Sequence, residues 1–270
     1  MVMADISVPW WNDVDVADLC SGAHLIAFDL DNTLARSKKP MKNSMAELFS
    51  ALTSMIDVAV ISGGKYALVQ SQVVNMLANR ADRSHLHLMP TSGTRYYRWI
   101  DGDWRQVFAR DLSDEDREKA KESLERNARE QGVWNERVWG ERIEDRGSQI
   151  TFSALGQLAP VGDKEAWDPS NEKKKRLAQA VSADLPHLEV HPGGSTSVDI
   201  SEKGVDKSFA VRELADILGI AVDEIVFIGD RMTPDGNDYP AAEVGTRAVR
   251  VSGPEDTEKL CAEIIACLRG

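Results

Sequence analysis

The sequence predicts an α/β protein in which a parallel-sheet domain is split by an inserted α+β unit. Two observations point to this. The first and last thirds alternate short apolar runs with helical stretches, as a parallel sheet with helices on its faces requires. The middle third opens on a hairpin signal, two aromatic-rich alternating runs, which marks the start of an antiparallel element. Neither flanking third looks complete alone, so the two are expected to share one domain.

The elements follow in order. His24–Asp29 reads as a strand, Met41–Ser54 as a helix, Asp57–Ile61 as a strand and Tyr66–Asn79 as a helix. In RYYRWIDGDWRQVF, Asp101-Gly102 separates two aromatic-rich runs, which predicts a hairpin and the start of the antiparallel unit. Ser113 opens a charged helix with Asp116 three residues on, in the manner of a capping box, and Gly132 should end it. Ser148–Leu155 is a strand, Asp168-Pro169 opens a helix, and Thr196–Ile200 is a further strand. After Lys203 the first pattern returns: helix Asp206–Leu218, strands Glu224–Ile228 and Arg247–Val251, and a closing helix Thr257–Leu268.

Composition excludes several classes. With 270 residues, 42% hydrophobic and 28% charged, the chain is neither disordered nor built of membrane spans. The N-terminal MVMADISVPWWND has no basic stretch followed by an apolar run, so a cytoplasmic protein is expected. A net charge of −12, from 32 basic against 44 acidic residues, repels polyanions and argues against nucleic-acid and membrane partners. The one basic cluster, Lys173–Arg176, reads as a solvated helix face. Cys20, Cys261 and Cys267 lack metal-type spacing and are expected to be reduced thiols. Trp10 and Trp11 suit either a packing arm or a homodimer contact.

Chemistry in open parallel sheets gathers at the carboxyl ends of the strands. Asp29 and Asp31 follow the first strand, Ser62 follows VAVI, and Asp230 follows IVFIG. An Asx-type turn would also explain DLDNT. A calcium loop would not, since its sixth and twelfth positions would be Leu34 and Pro40. Converging carboxylates repel unless a cation neutralises them, and magnesium suits oxygen ligands together with a substrate phosphate. Phosphoryl transfer then has its parts: Asp29 as nucleophile, Asp31 as proton donor, Ser62 with the Gly63 and Gly64 amides for phosphate oxygens, and Lys207 as a balancing charge.

On these residues the chain resembles the haloacid dehalogenase superfamily, whose four motifs match DLDNT, ISGG, KGVDK and IGDRMTPDGND in order. The inserted section lies between the second and third motifs, where subclass IIB members carry an α/β cap. The resemblance implies a Rossmann-like catalytic core from residues 1–91 and 201–270, with a substrate-selecting cap over 92–200. GGSTSVDISEKGVDKSFAVREL, GDRMTPDGNDYP, GPEDTEKL and the cap stretch IEDRGSQITFSALGQ are similar to eukaryotic-type phosphomannomutases.

That likeness implies Asp29 as the phosphorylated nucleophile and a magnesium ligand, and Asp31 as acid/base and a ligand through its carbonyl. Asp230 would complete the magnesium ligands, with Asn237 and Asp238 near the metal and lysine. Of the two lysines in KGVDK, Lys207 takes the phosphate-contacting position and Lys203 faces solvent. Ser197, Asp199 and Arg146 match cap residues that meet the substrate, although Ser197 and Asp199 also suit a plain polar strand face.

One departure separates the chain from the mutases: Gln157 and Trp139 stand where those enzymes place arginines that grip a second phosphate. Arg137 or Arg142 in a shifted register would be the replacements. The sequence therefore favours a magnesium-dependent phosphatase of a small phosphorylated metabolite, a sugar phosphate or phosphorylated sugar acid. A phosphohexomutase comes second, and a silent sugar-phosphate binding module third.

Overall fold

A computed structural model describes residues 6–270; residues 1–5, the start of the stretch read as lacking a signal, lie outside them. The chain forms two compact units, one of residues up to Ala109 together with Asp206–Gly270, the other Arg110–Val205.

The larger unit is a seven-stranded sheet. In chain order it contains α1 (Val16–Cys20), β1 (Leu25–Phe28), α2 (Asn43–Leu52), β2 (Asp57–Ile61), α3 (Tyr66–Gln72), β3 (Leu86–Met89), β4 (Arg95–Ile100) and β5 (Asp103–Ala109). The second unit follows with α4 (Asp114–Glu130), β6 (Ile143–Asp145), β7 (Gln149–Ser153), α5 (Val161–Trp167), α6 (Glu172–Asp184), β8 (Leu188–Pro192) and β9 (Ser197–Glu202). The chain then returns through α7 (Lys207–Leu218), β10 (Ile225–Gly229), α8 (Tyr239–Glu243), β11 (Arg247–Arg250) and α9 (Pro254–Arg269).

The strand order β11-β10-β1-β2-β3-β4-β5 places β1 between β10 and β2, all parallel. Strand β1 is buried on both faces, which is why it reads as an unbroken apolar run rather than an alternation. Ile26 and Phe28 pack with Met45, Phe49 and Ile264 on one side, and Leu25 and Ala27 with Val211 and Leu214 on the other.

The hairpin belongs to this sheet and not to the inserted unit, so the first boundary lies at 109/110 rather than 91/92. Strand β4 pairs with β3 through Leu88 and Tyr97, and Tyr96 is buried against the core with Phe108 behind it. The second boundary falls at 205/206 instead of 200/201. The helix expected to reach Asn79 stops at Gln72 and passes through Val73 (φ −119°, ψ −61°) into a 3₁₀ turn. Strands β3, β6 and β8, which the sequence reading does not include, complete the two sheets. In the Trp10–Trp11 segment, Trp10 bridges to Arg250 and is 39% exposed, and Trp11 lies against the core.

The second unit is a four-stranded antiparallel sheet, β6-β7-β9-β8. Alternation sorts its faces. Ile150, Phe152, Val198 and Ile200 pack against Leu124, Leu177 and Val181 from α4 and α6. Glu144, Thr151, Asp199 and His191, which pair across the strands, point the other way. Ser113 caps α4 as its spacing indicates, accepting the Asp116 N–H at 3.0 Å. No helix among the described residues is long and apolar enough to cross a membrane.

Candidate active site

Asp29 stands one residue beyond β1, its N–H donating to the Ile228 carbonyl at 2.9 Å. That bond fixes it beside the end of β10, where Asp230 emerges. Lys207 opens α7, whose N-terminus is capped by Asp206 through bonds from the Ser208 and Phe209 N–H groups. The lysine is only 2% exposed, and its ammonium donates to both Asp29 Oδ1 and Asp238 Oδ1. Asp238 is fully buried and accepts the Arg231 N–H at 2.9 Å on its other oxygen. Gly229 makes room for it: a β-carbon there would sit 2.6 Å from Asp238 Oδ2.

Carboxylate oxygens of Asp29, Asp230 and Asp238 lie within 4.8 Å of one another, and Thr33 Oγ1 donates to Asp230 at 3.4 Å. Burial pushes the Asp29 carboxyl up to about 7; Lys207 opposes this, and Asp238 and Asp230 add to it. Asp230 is raised by burial and then by Asp238. Burial works against the Lys207 charge, yet Asp238 and Asp29 hold its pKa above the ordinary lysine value. Three carboxylates against one ammonium leave two negative charges, which one divalent cation would balance. The donors are all oxygen, which fits a hard cation of the magnesium kind.

Asp31 is half-buried, with its carboxylate turned into its own loop, where Oδ1 accepts the Lys38 N–H at 3.0 Å and the Gln72 side-chain amide at 3.1 Å. Asn32 follows in left-handed geometry (φ 62°), which Asn tolerates better than most residues. Ser62 is buried at the end of β2 and accepts the Gly64 N–H on its hydroxyl at 3.0 Å. This leaves the hydroxyl hydrogen to donate. Gly63 and Gly64 continue the turn into α3. Asn237 is exposed next to Asp238, and Lys203 is exposed as its reading requires.

The structure therefore joins Asp29, Asp230 and Lys207 directly, with Asp238 as a fourth member. Gln72 and Thr33 escaped the sequence reading. The signal for Gln72 was there: it follows Val69 by three residues, so a polar side chain sits on the buried stripe of α3.

In the second unit, Arg146 is paired with Glu144 at 2.7 Å and donates to Gln149 at 2.9 Å. Asp199 accepts the Thr151 hydroxyl at 2.6 Å; burial raises its carboxyl, and Arg146 opposes this. Ser197 is two residues away on the same face of β9. A β-carbon at Gly193 would approach Asp199 Oδ2 to 2.4 Å, so this turn needs glycine for space. Lys174 departs from the solvated face expected of Lys173–Arg176: it is buried and donates to the Gly194 carbonyl at 2.7 Å. Arg142 stacks on Trp134 with its guanidinium 3.9 Å from the ring centroid and donates to the Asn135 carbonyl. Arg137 lies over Trp139 at 4.8 Å. The Gln157 N–H donates to the Glu141 carbonyl at 3.0 Å, extending the β6–β7 hairpin.

A parallel sheet that ends in an aspartate pair, a buried lysine and an acidic loop defines an enzyme of the haloacid dehalogenase superfamily. Two solved structures share this fold. An IMP-bound, N-terminally truncated IMP-nucleotidase from Plasmodium falciparum superposes with a TM-score of 0.67 at 16% identity, over 93% of this chain and 70% of the other. A trehalose-6-phosphate phosphatase from Aspergillus fumigatus gives 0.59 at 14% identity, over 96% and 100%.

Within the superfamily the chain belongs to the eukaryotic phosphomannomutase family, whose profile matches residues 45–267. Phosphomannomutase from Spinacia oleracea is 27% identical over 252 residues, covering 90% of this chain and 96% of its own. Residues 29–31 precede the matched span.

Proposed function

We propose that the protein is a magnesium-dependent phosphatase of a small phosphorylated metabolite, a sugar phosphate or phosphorylated sugar acid. The observation that carries this reading is the buried Asp29–Lys207–Asp238 contact with Asp230 beside it. Lys207 occupies one oxygen of Asp29 and leaves the other for in-line attack on phosphorus. Ser62 and the Gly63 amide would receive the phosphate oxygens, and Asp31 would move the proton of the leaving oxygen. Asp29, Asp230 and the Asp31 carbonyl would hold magnesium, which when bound supplies charge balance at the transferring group. Asn237 would lie at its rim. The names of the relatives and neighbours, a phosphomannomutase and two phosphatases, support phosphoryl transfer on small metabolites. Three unpaired cysteines suit a cytoplasmic setting.

Hydrolysis is favoured over mutase chemistry by the second unit, read here as the substrate-selecting cap. Its polar face carries Glu144, Asp199 and Glu189, while Arg146 is already paired with Glu144. Such a face suits sugar hydroxyls, through Ser197 and Asp199, better than a second phosphate. Family membership favours the other reading, a phosphohexomutase. One assay decides between them: with mannose 1-phosphate and magnesium, inorganic phosphate is expected to appear faster than mannose 6-phosphate. Faster isomerisation would replace the phosphatase by the mutase.

The metal assignment has its own test. The Asp29 pKa lies above its unfolded value of about 3.8, so its proton stabilises the fold at low pH, and that contribution is lost as pH rises through about 7. A cation taking the proton's place should then matter more at high pH. Millimolar magnesium is expected to raise Tm further at about pH 8 than at about pH 5.5. Equal shifts at both would count against these ligands.

A further inference from the structure

Gln72 lies at the end of α3, 1% exposed, a polar side chain on the buried stripe of the helix. Its amide nitrogen donates to Asp31 Oδ1 at 3.1 Å and to the Lys39 carbonyl at 3.0 Å. Its own carbonyl accepts the Met41 N–H at 2.9 Å. One residue thus grips the loop after β1 by its backbone and its side chain together, and holds the Asp31 carboxylate within it. The amide orientation is fixed by its surroundings, because reversing it would set an oxygen against two other acceptors. The remaining oxygen, Gln72 Oε1, is buried with no hydrogen-bond partner among the described residues. A buried acceptor left without a partner is costly, and leucine would fill the same space without that cost. The arrangement is accounted for by what the amide hydrogens hold.

We propose that Gln72 is the positioning residue of the acid/base: it and the Lys38 N–H fix Asp31 through Oδ1, so that Oδ2 faces the leaving oxygen. This rests on the phosphatase reading. In the first step the bond from Asp29 to phosphorus forms, the bond from phosphorus to the substrate oxygen breaks, and the Oδ2 proton passes to that oxygen. In the second, water attacks phosphorus, its proton returns to Asp31, and Asp29 is released with inorganic phosphate.

Orientation of a proton donor matters only when the leaving oxygen needs the proton. Gln72→Leu should therefore lower kcat/KM, which reads the first step because the leaving group departs before water attacks, at least 30-fold on mannose 6-phosphate, whose alkoxide must be protonated, and less than threefold on p-nitrophenyl phosphate, whose phenolate leaves unaided. Gln72→Met keeps the length, removes the donor and should behave alike, which carries the test if the leucine variant does not fold. Asp31→Asn sets the largest selectivity attainable. Equal losses on both substrates, or no loss on either, would overturn the assignment. If the unaltered enzyme released phosphate from neither substrate, the phosphatase reading itself would fall first.

Discussion

Asp29→Asn is expected to reduce magnesium-dependent phosphate release by roughly 10⁴-fold or more, the scale on which loss of a nucleophile is felt. The amide keeps the shape of the carboxylate and can still accept from Lys207, but it is too weak a nucleophile to form a phosphoryl intermediate. Folding should survive. Burial already opposes the Asp29 charge and brings its pKa to about 7, so a neutral side chain suits the site. The measurement is initial phosphate release, with near-unchanged circular dichroism as the control. Full activity in this variant would move the nucleophile elsewhere.

Lys207→Met should damage both stability and rate. The lysine is the shared counter-ion of two buried carboxylates, and its removal leaves Asp29 and Asp238 facing each other. Breaking a buried pair in this way costs about 3–5 kcal/mol. The sign of the pH dependence follows: Lys207 opposes the rise of the Asp29 carboxyl, so without the cation that carboxyl binds its proton more tightly in the fold and the deficit should grow as pH rises from about 5 to about 8. Lys203→Met, at the exposed lysine of the same motif, should stay within about 0.5 kcal/mol. Urea unfolding of the two variants at both pH values makes the comparison. Equal behaviour would mean that KGVDK was divided wrongly between solvent and site.

The parts of the fold that could be read from sequence are those whose cause is local. β1, β2 and β10 show as apolar runs because a parallel strand covered on both faces has no polar side to alternate with. The hairpin also announced itself, through Asp101-Gly102, but its destination did not. Which sheet it joins depends on Tyr96 and Phe108 finding the core, a tertiary matter that no turn signal encodes. β3 stayed hidden for a similar reason, since LHLM carries a histidine whose buried ring meets Tyr96 at 2.8 Å, Arg98 and Asp57, partners that lie on other elements.

The site divides in the same way. Asp29, Asp31, Ser62 and Asp230 lie at strand ends, where topology brings them together whatever the intervening sequence. Contacts that depend on the reach of one side chain, Gln72 to Asp31, Arg146 to Glu144 or Lys174 to Gly194, leave no pattern of their own. They appear only once the backbone is placed.

The two points where the chain passes between its units are not equivalent. The outgoing strand, β5, is the edge of the sheet, four strands from β1, so length changes near residue 110 touch nothing catalytic. The return at 205/206 runs straight into Lys207. A graft of a foreign insert could be trimmed freely at its first seam, whereas a length change at the second falls beside Asp206, whose side chain caps α7 where Lys207 stands. Replacement of the second unit is thus constrained at one end, where KGVDK joins it to the start of α7.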